Sequence, residues 1–587
     1  MLGSYNAQTY IKPYKTALRL ALVAACLSFA GGISPAGAQI YDLALDGAGE
    51  VPSSSNIQNS LEAAVRSGKV GGNALLDKAA LQEFYTARNF EPYWMSNTGP
   101  YSRAHELITV LEGAWTHGLN PETYHASDLR ALVKGTSFTQ KDELELMLSD
   151  GFIRYARDLS GMRVDPAGLE TDPGSWRKRI SAPQALAYLT KDKTMGAIMR
   201  QIEPQGQTYK TLQKELIRLS GEPDEEYNDV LPIRLEGLLR PGQRSKAVPA
   251  MRKRLGVSHD GSNELVYDDR LMAAVIRFQR ENDLVDDGVI GSSTLELMNR
   301  TNQTRAAQIV ANLERLRWVE NERPDRFVVV NIPAATLWAI DDGRVDFEMP
   351  VIVGKPVRPT QSFITKIEGV RFNPDWTIPP TIKRFDILPK LTEDPGYLHK
   401  KGIQLIRGHG DNAMTLDPFA VEWSGISSAE LNSLRMVQVP GETNPLGRVR
   451  ILMPNIYNIY LHDTNHPEYF DEPARAVSSG CIRMKEPEKM ADFVLEKEPS
   501  WRRSTMQAIF DSRQKTDIPV SAKMPVYVLY YTAWTDSKGR VVYGADIYNQ
   551  DSKLLEKLSN IDGFYIPRHN ENSKANSGRS RRIAVNQ

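Results

Sequence analysis

Apolar positions recur at helical spacing through residues 73–237. In LLDKAALQEFYTARNFEPYW, Leu76, Leu81, Phe84 and Tyr85 fall near one helical face, and Pro92 ends the run. AHELITVLEGAWTHGLNPETY repeats the pattern, with Gly118 and Pro121 punctuating its C-terminal end. These Leu and aromatic positions read as core rather than as ligand contacts. His105, His117 and His125 carry no partner pattern and read as structural or surface residues. The preceding stretch, 39–72, is rich in Gly, Ser and Asn with little periodicity and reads as a mobile linker.

Residues 238–300 change character. LLRPGQRSKAVPAMRKRLGV opens with a turn and continues as a helix with Val248, Met251 and Leu255 on one face. The following stretch supplies a second helix, Leu271, Val275 and Phe278 inward, then an Asp-Gly turn and a third short helix from Thr294. Leu239-Arg240-Pro241-Gly242, Ala274-Val275-Ile276-Arg277-Phe278-Gln279, Asp287-Gly288-Val289-Ile290-Gly291 and Thr294 resemble, in order and spacing, the peptidoglycan-binding domain of wall-remodelling enzymes. A three-helix packing module without affinity for sugar or peptide is the plainer reading of the same residues.

RAAQIVANLERLRWVE, with Ile309, Leu313, Leu316 and Val319, predicts a linking helix within 301–324, after which the period shortens. RFVVVN, TLWAI, FEMPVIVG, RVRILM, IYNIYLH and PVYVLYYTAW predict strands of a domain over 325–535. Residues 373–448 hold many Pro, Gly and Asp with weak periodicity, too long for a simple connection, and read as a lid or binding loop. Residues 536–569 form a C-terminal extension, and the tail 570–587 is expected to be disordered. The fold class is multidomain α+β: a helical scaffold with an inserted three-helix module, then a mainly β domain with a long insertion.

Composition narrows the function. Lys12, Lys15 and Arg19 precede an apolar run from Leu20 to Ala30, and Ala36-Gly37-Ala38 reads as a cleavage site, so 1–38 reads as a signal peptide. Val23-Ala24-Ala25-Cys26 offers a rival lipoprotein box, but the apolar stretch before Cys26 is short and continues beyond it. The run is too short and too broken by glycine for a stable membrane span, and export of a soluble mature chain is expected. Cleavage would leave 69 basic against 72 acidic residues, no electrostatic footprint for nucleic acid. It would also remove Cys26 and leave Cys481 as the sole cysteine. Exported proteins usually pair their thiols, so an odd one is a candidate reactive group; an inert buried cysteine is the alternative.

The surroundings of Cys481 decide between these. In IYNIYLHD, alternation places Ile456, Asn458, Tyr460 and His462 on one strand face and Tyr457, Ile459 and Leu461 on the other. Cys481 follows on a Pro- and Ser-containing loop, before a helix that starts at Pro487 and carries Met490, Phe493 and Val494. A histidine at a strand end and a cysteine on the next loop are placed to meet, and an imidazole can take the thiol proton and return it. Gly480 permits close backbone approach, and N–H groups at Gly480 and Cys481 suit an oxyanion. Arg483 suits a substrate carboxylate or, equally, an ion pair with a loop acid. His462 and His466 also have the i,i+4 spacing of a zinc-protease helix, but the residues before them read as strand and Pro467 follows, so no metal is expected.

His462, a gap to Ser478, then Ser479-Gly480-Cys481-Ile482-Arg483 resemble the signature of L,D-transpeptidases with the YkuD-type catalytic domain. NLERLRW, GKPVRPT, FNPDWTIPP, PGETNPLGRVR and YLHDT are similar to the larger periplasmic subgroup, over about residues 75–550. Many members carry a second histidine before the glycine; this chain has Ser479, which leaves His462 as the base. The resemblance implies a peptidoglycan cross-linking enzyme. Cys481 would form a thioester with a donor stem peptide and release D-alanine, and the side-chain amine of a second stem would resolve it as a 3→3 cross-link. Arg483, Tyr460 and Ser479 would line the site, and Trp376 in the insertion would help close it. No cofactor is implied. The partners implied are donor and acceptor stem peptides, with other wall-synthesis proteins as further candidates. Hydrolysis, D-amino-acid exchange, protein attachment to the wall and a non-catalytic wall-binding scaffold remain the alternative readings.

Overall fold

Leu61 and Val65 lie one helical turn apart and are fully buried, within a segment whose composition resembles a linker. A computed structural model describes residues 54–134, 140–190, 193–221, 233–258, 261, 263–282, 284–319, 324–472, 474–561 and 564. The expected signal peptide, the first part of the expected linker and the tail 570–587 lie outside these residues. The linker expectation gives way from Ser54: Ser54–Ser67 is a helix, followed by a small hairpin of β1 (Lys69–Val70) and β2 (Asn73–Ala74). Leu61 and Val65 join a core with Leu144, Met147 and Leu148 of the long helix Lys141–Leu159. Tertiary burial of one apolar stripe outweighs weak local propensity here. His117 and His125 are buried and structural: His117 Nδ1 meets Tyr209 Oη at 3.0 Å, and His125 Nε2 meets Asp150 at 2.9 Å.

The three expected helices of the small module are Val248–Arg254, Asp269–Glu281 and Ser292–Met298. Their motif residues have structural work. Leu239 and Ile290 exchange backbone hydrogen bonds. The Gln279 amide, 1% exposed, accepts from Gly288 N (2.9 Å) and donates to Val289 O (2.9 Å), so it fastens the Asp-Gly turn to the second helix. Gly288 has φ of 71°, which a glycine adopts without cost.

The β domain begins with β3 (Phe327–Asn331), β4 (Thr336–Asp341), β5 (Arg344–Gly354) and β6 (Phe363–Phe372). The insertion then adds β7 (Trp376–Thr377), β8 (Ile403–Arg407), β9 (Met414–Leu416) and β10 (Leu434–Gln438). The chain returns through β11 (Val449–Leu452), β12 (Leu461–His462), β13 (Ala476–Ser478), β14 (Ile482–Met484) and β15 (Thr516–Leu529). A short pair, β16 (Ala533–Thr535) and β17 (Val541–Tyr543), follows. The main sheet has the order β13-β5-β14-β12-β11-β6-β15-β3-β4, and β5 also pairs with β4, so the pairing returns on itself. One face buries Val449, Ile451, Leu461 and Ile482 with Met490, Phe493 and Val494 of the helix Pro487–Leu495.

The insertion is more ordered than a loop. β7, β10, β8 and β9 form their own four-stranded sheet over an apolar core that includes Ile378, Leu391, Leu405, Trp423 and Met436. The insertion is thus a small subdomain with side chains to hold it together. The C-terminal extension is equally integrated. Gln308 of the helix Asn302–Arg317 donates to Gly544 O (3.0 Å), and Arg315 forms an ion pair with Asp551.

The strand expected over 456–462 is corrected to the two residues of β12. The Asn455 side chain explains the difference. Its carboxamide oxygen accepts from Tyr457 N (3.1 Å) and Ile459 N (3.2 Å), and its amide donates to Met453 O and Ile459 O. An Asn that satisfies neighbouring backbone in this way competes with a strand ladder. Asn458 consequently sits in the left-handed region, with φ of 53°.

Candidate active site

Short as it is, β12 lies between two strands that fix its register. His462 faces Arg483 of β14 in parallel pairing and Arg450 of β11 in antiparallel pairing. Arg450 in turn faces Arg371, and Arg371 faces Asp517. Residues in register on adjacent strands project from the same face. One rung of the sheet therefore reads Arg483, His462, Arg450, Arg371, Asp517 on the face opposite the apolar core. Arg371 is matched by Asp517 through two hydrogen bonds of 2.7 Å. Arg450 and Arg483 form no ion pair among the described residues.

His462 is buried, and its Nδ1 lies 2.5 Å from Asp463 O. A carbonyl only accepts, so Nδ1 carries the proton and Nε2 keeps a free lone pair in the neutral ring. The imidazole pKa is lowered to about 3, by burial first and then by the Arg483 and Arg450 charges, against the help of Asp463 O. The Asp463 carboxylate accepts from Arg448 N and Thr464 N (both 2.7 Å), which anchors the strand end. A Cβ at Gly447 would come within 2.3 Å of that carboxylate, so glycine is required there.

The loop that carries Cys481 is built between β13 and β14. Gly480 has φ of 114°, a backbone that side-chain-bearing residues rarely adopt. Ser478 Oγ donates to Cys481 O (2.6 Å) and accepts from Gly480 N (3.1 Å), which closes the turn from inside. Thr360 Oγ1 donates to Gly480 O (2.8 Å) and accepts from Gly354 N (2.8 Å). Tyr548 of the C-terminal extension donates to Gly354 O (2.5 Å) and accepts from Thr360 N (3.3 Å). The scaffold holds the same stretch from its other end, through Ser362 N to Glu170 O (3.0 Å) and Asp172 N to Ser362 O (2.9 Å).

Cys481 is half-buried, and its thiol points at Asn458 O, 3.7 Å away. Burial pushes the thiol pKa up, while the Tyr460 backbone N–H, Arg450 and Arg483 pull the other way. Ser479 accepts a hydrogen bond from Arg358 Nη1 (3.1 Å), and Arg358 also pairs with Asp386 of the lid segment Lys383–Ile387. The Arg450 guanidinium lies over the Tyr460 ring, 3.6 Å from its centroid.

Cys481, His462, Gly480, Tyr460, Ser479 and Arg483 thus share one region of the sheet. Trp376 lies on β7 and packs against the lid's own core. Of the two backbone donors considered at the loop, Gly480 N–H is directed to Ser478 Oγ. Arg450, Thr360, Arg358 and Tyr548 were not singled out from sequence. Arg450 had a signal: in RVRILM it alternates with apolar Val449 and Ile451, which places it on the outer face. The other three act through contacts remote in sequence.

Family models match three parts of the chain: "Scaffold domain" at 79–216, "Putative peptidoglycan binding domain" at 251–298 and "L,D-transpeptidase catalytic domain" at 325–526. A curated relative, "Putative L,D-transpeptidase" of Haemophilus influenzae, is 32% identical over 247 residues, 42% of this chain and 48% of that protein. The chain spans about half the length of that relative. Solved structures are more remote. An L,D-transpeptidase from Mycobacterium smegmatis is 16% identical with a TM-score of 0.17, covering 35% of this chain and 58% of that one. One from Stackebrandtia nassauensis is 13% identical with a TM-score of 0.18, covering 51% and 97%. Overlays this weak add nothing to the match of the family models, which rests on sequence. The chain thus carries a YkuD-type L,D-transpeptidase catalytic domain over 325–526, with a scaffold domain and a peptidoglycan-binding domain matched ahead of it.

Proposed function

We propose that this protein is a cysteine-dependent L,D-transpeptidase that forms 3→3 cross-links between peptidoglycan stem peptides in the periplasm. The observation that carries the reading is the fixed tautomer of His462 beside the Cys481 loop: Nδ1 is committed to Asp463 O, and Nε2 is left to take a proton. Among the described residues no helix is long and apolar enough to cross a membrane.

The chemistry follows from these groups. Nε2 of neutral His462 accepts the thiol proton as sulfur attacks the carbonyl on the L-centre side of the scissile bond. Gly480 O is tied to Thr360, so the N–H of the same trans peptide, that of Cys481, points the opposite way and meets the developing oxyanion. The tetrahedral intermediate collapses to a thioester, and the departing D-alanine amine leaves with the proton held by His462. A second stem's side-chain amine then attacks the thioester and gives up a proton to His462. Collapse forms the new amide and returns the proton to sulfur. The two guanidiniums beside His462 keep the ring neutral when the thiol proton is not on it, which suits a base that must release its proton in each half-reaction.

Incubation with purified tetrapeptide muropeptides, with products resolved by mass, tests the reading. Cross-linked dimers are expected. Tripeptides alone would mean a hydrolase, and no change would mean a non-catalytic wall-binding protein.

A further inference from the structure

Arg450 and Arg483 are the two members of the rung without a carboxylate, and they stand on either side of His462. Arg450 Nε and Arg483 Nη1 are buried with no hydrogen-bond partner among the described residues. Burying guanidinium nitrogens without an acceptor is costly, and a fold tolerates it where a ligand supplies the acceptor. Two such groups flank one histidine, with Glu468 acting on Arg483 and Asp375 on Arg450 through space but neither in an ion pair with them. The contrast with Arg371 is instructive, because its fork is filled by Asp517 one strand further on. The Tyr460 ring under Arg450 fixes the plane of the guanidinium. Arg483 lies 5.8 Å from the Tyr469 ring, a looser arrangement.

We propose that Arg450 and Arg483 together form a carboxylate-binding site astride His462. Its ligand is the free α-carboxylate of the residue that leaves from the donor peptide, and Arg450 is its specificity-determining member. The inference rests on the transpeptidase reading above. In a residue joined by its amine to the scissile carbonyl, the carboxylate carbon lies about 4 Å or less from the carbonyl carbon, from bond lengths alone. A carboxylate that close to the reacting atom falls among the groups that flank the base. A planar fork suits its two oxygens. A peptide that is amidated there, or that continues past that residue, presents a neutral amide to the same two cations and leaves them unpaired. The site therefore selects donors that end at the residue to be expelled.

The test uses the full chain and two synthetic donors, a tetrapeptide with a free C-terminal carboxylate and the same peptide as its carboxamide. The rate of thioester formation is followed by intact-protein mass. The unaltered protein is expected to favour the carboxylate donor by about 10–100-fold, the range for a hydrogen bond to a charged group. In Arg450→Gln that preference is expected to fall to within about threefold, because the carboxylate donor loses more than the carboxamide does. Arg450→Lys is expected to recover part of it, as charge without the fork. Equal use of both donors by the unaltered protein overturns the inference and leaves the transpeptidase reading standing. So does an Arg450→Gln protein that keeps the full preference, or that loses both donors alike. Reaction with neither donor overturns the transpeptidase reading, and the inference with it. The comparison of donors on the unaltered protein decides even if a variant fails to fold.

Discussion

Thr360 Oγ1 donates to Gly480 O across 2.8 Å, and so orients the peptide that carries the N–H of Cys481. Thr360 is a positioning residue, since it acts through that peptide. Thr360→Val keeps the shape and removes the donor. Thioester formation is expected to slow by about 10–100-fold, somewhat less than loss of an oxyanion donor itself, in kcat more than in KM. Steady-state kinetics with a muropeptide donor checks the split; a change confined to KM would count against this role.

Cys481→Ala is expected to abolish covalent modification by a carbapenem while leaving thermal unfolding within about 3 °C of the unaltered protein, since a half-buried thiol contributes little to the core. Intact-protein mass and a melting curve check the two halves. An adduct on the alanine variant would remove Cys481 as the nucleophile.

Ser479, beside the Cys481 turn, accepts from Arg358. With His462 as the base, Ser479→Ala is expected to leave the acylation rate within about threefold, the cost of one partly exposed hydrogen bond. Asp386→Asn removes the other partner of Arg358 and loosens the lid segment Lys383–Ile387. That pair is partly exposed, so a contribution of about 1 kcal/mol or less is expected. Hydrogen exchange of the lid peptides, faster in the variant, reads it directly.

His462 has a lowered pKa of about 3, and burial holds the Cys481 thiol above its ordinary range. Both groups are therefore neutral across the physiological range, and the acylation rate is expected to show no step near pH 6–7. The sign for stability is fixed by the same shift. A histidine whose folded pKa is depressed binds fewer protons in the folded state than in the unfolded chain, so stability is lost as pH falls from about 6.5 toward 3. Thermal melting of the unaltered protein and of His462→Gln across that window checks it. The variant, which cannot protonate there, is expected to lose less.

In the small module, Gln279→Ala leaves Gly288 N–H and Val289 O without their side-chain partner. A loss of about 1–3 kcal/mol in that module is expected, the cost of unsatisfied buried groups. Calorimetry should show it as an earlier transition, with the carbapenem reaction at Cys481 unchanged.

How far the sequence carried depended on whether a residue's role is local. Cys481, Gly480 and His462 were legible because a lone thiol, a turn glycine and a spaced histidine are chemistry written along the chain. Arg450 was half legible, as the outward member of an alternating strand, but its place beside His462 is a fact of register between β11 and β12. Thr360 and Tyr548 were not legible, because their partners Gly480 and Gly354 lie far away along the chain. The strand over 456–462 was over-read because Asn455 turns its side chain on its neighbours. The helix Ser54–Ser67 was under-read because Ser and Asn hid the spacing of Leu61 and Val65.

Tyr548 reaches the loop that braces Gly480 from beyond residue 526, where the match to the catalytic family ends. A fragment limited to residues 325–526 would retain Cys481 and His462 and lose the phenol that braces the Gly480 loop, together with the helix Asn302–Arg317 on which the C-terminal segment rests. The heritable module and the working machine have different edges in this protein, and transplanting the first would not transfer the second.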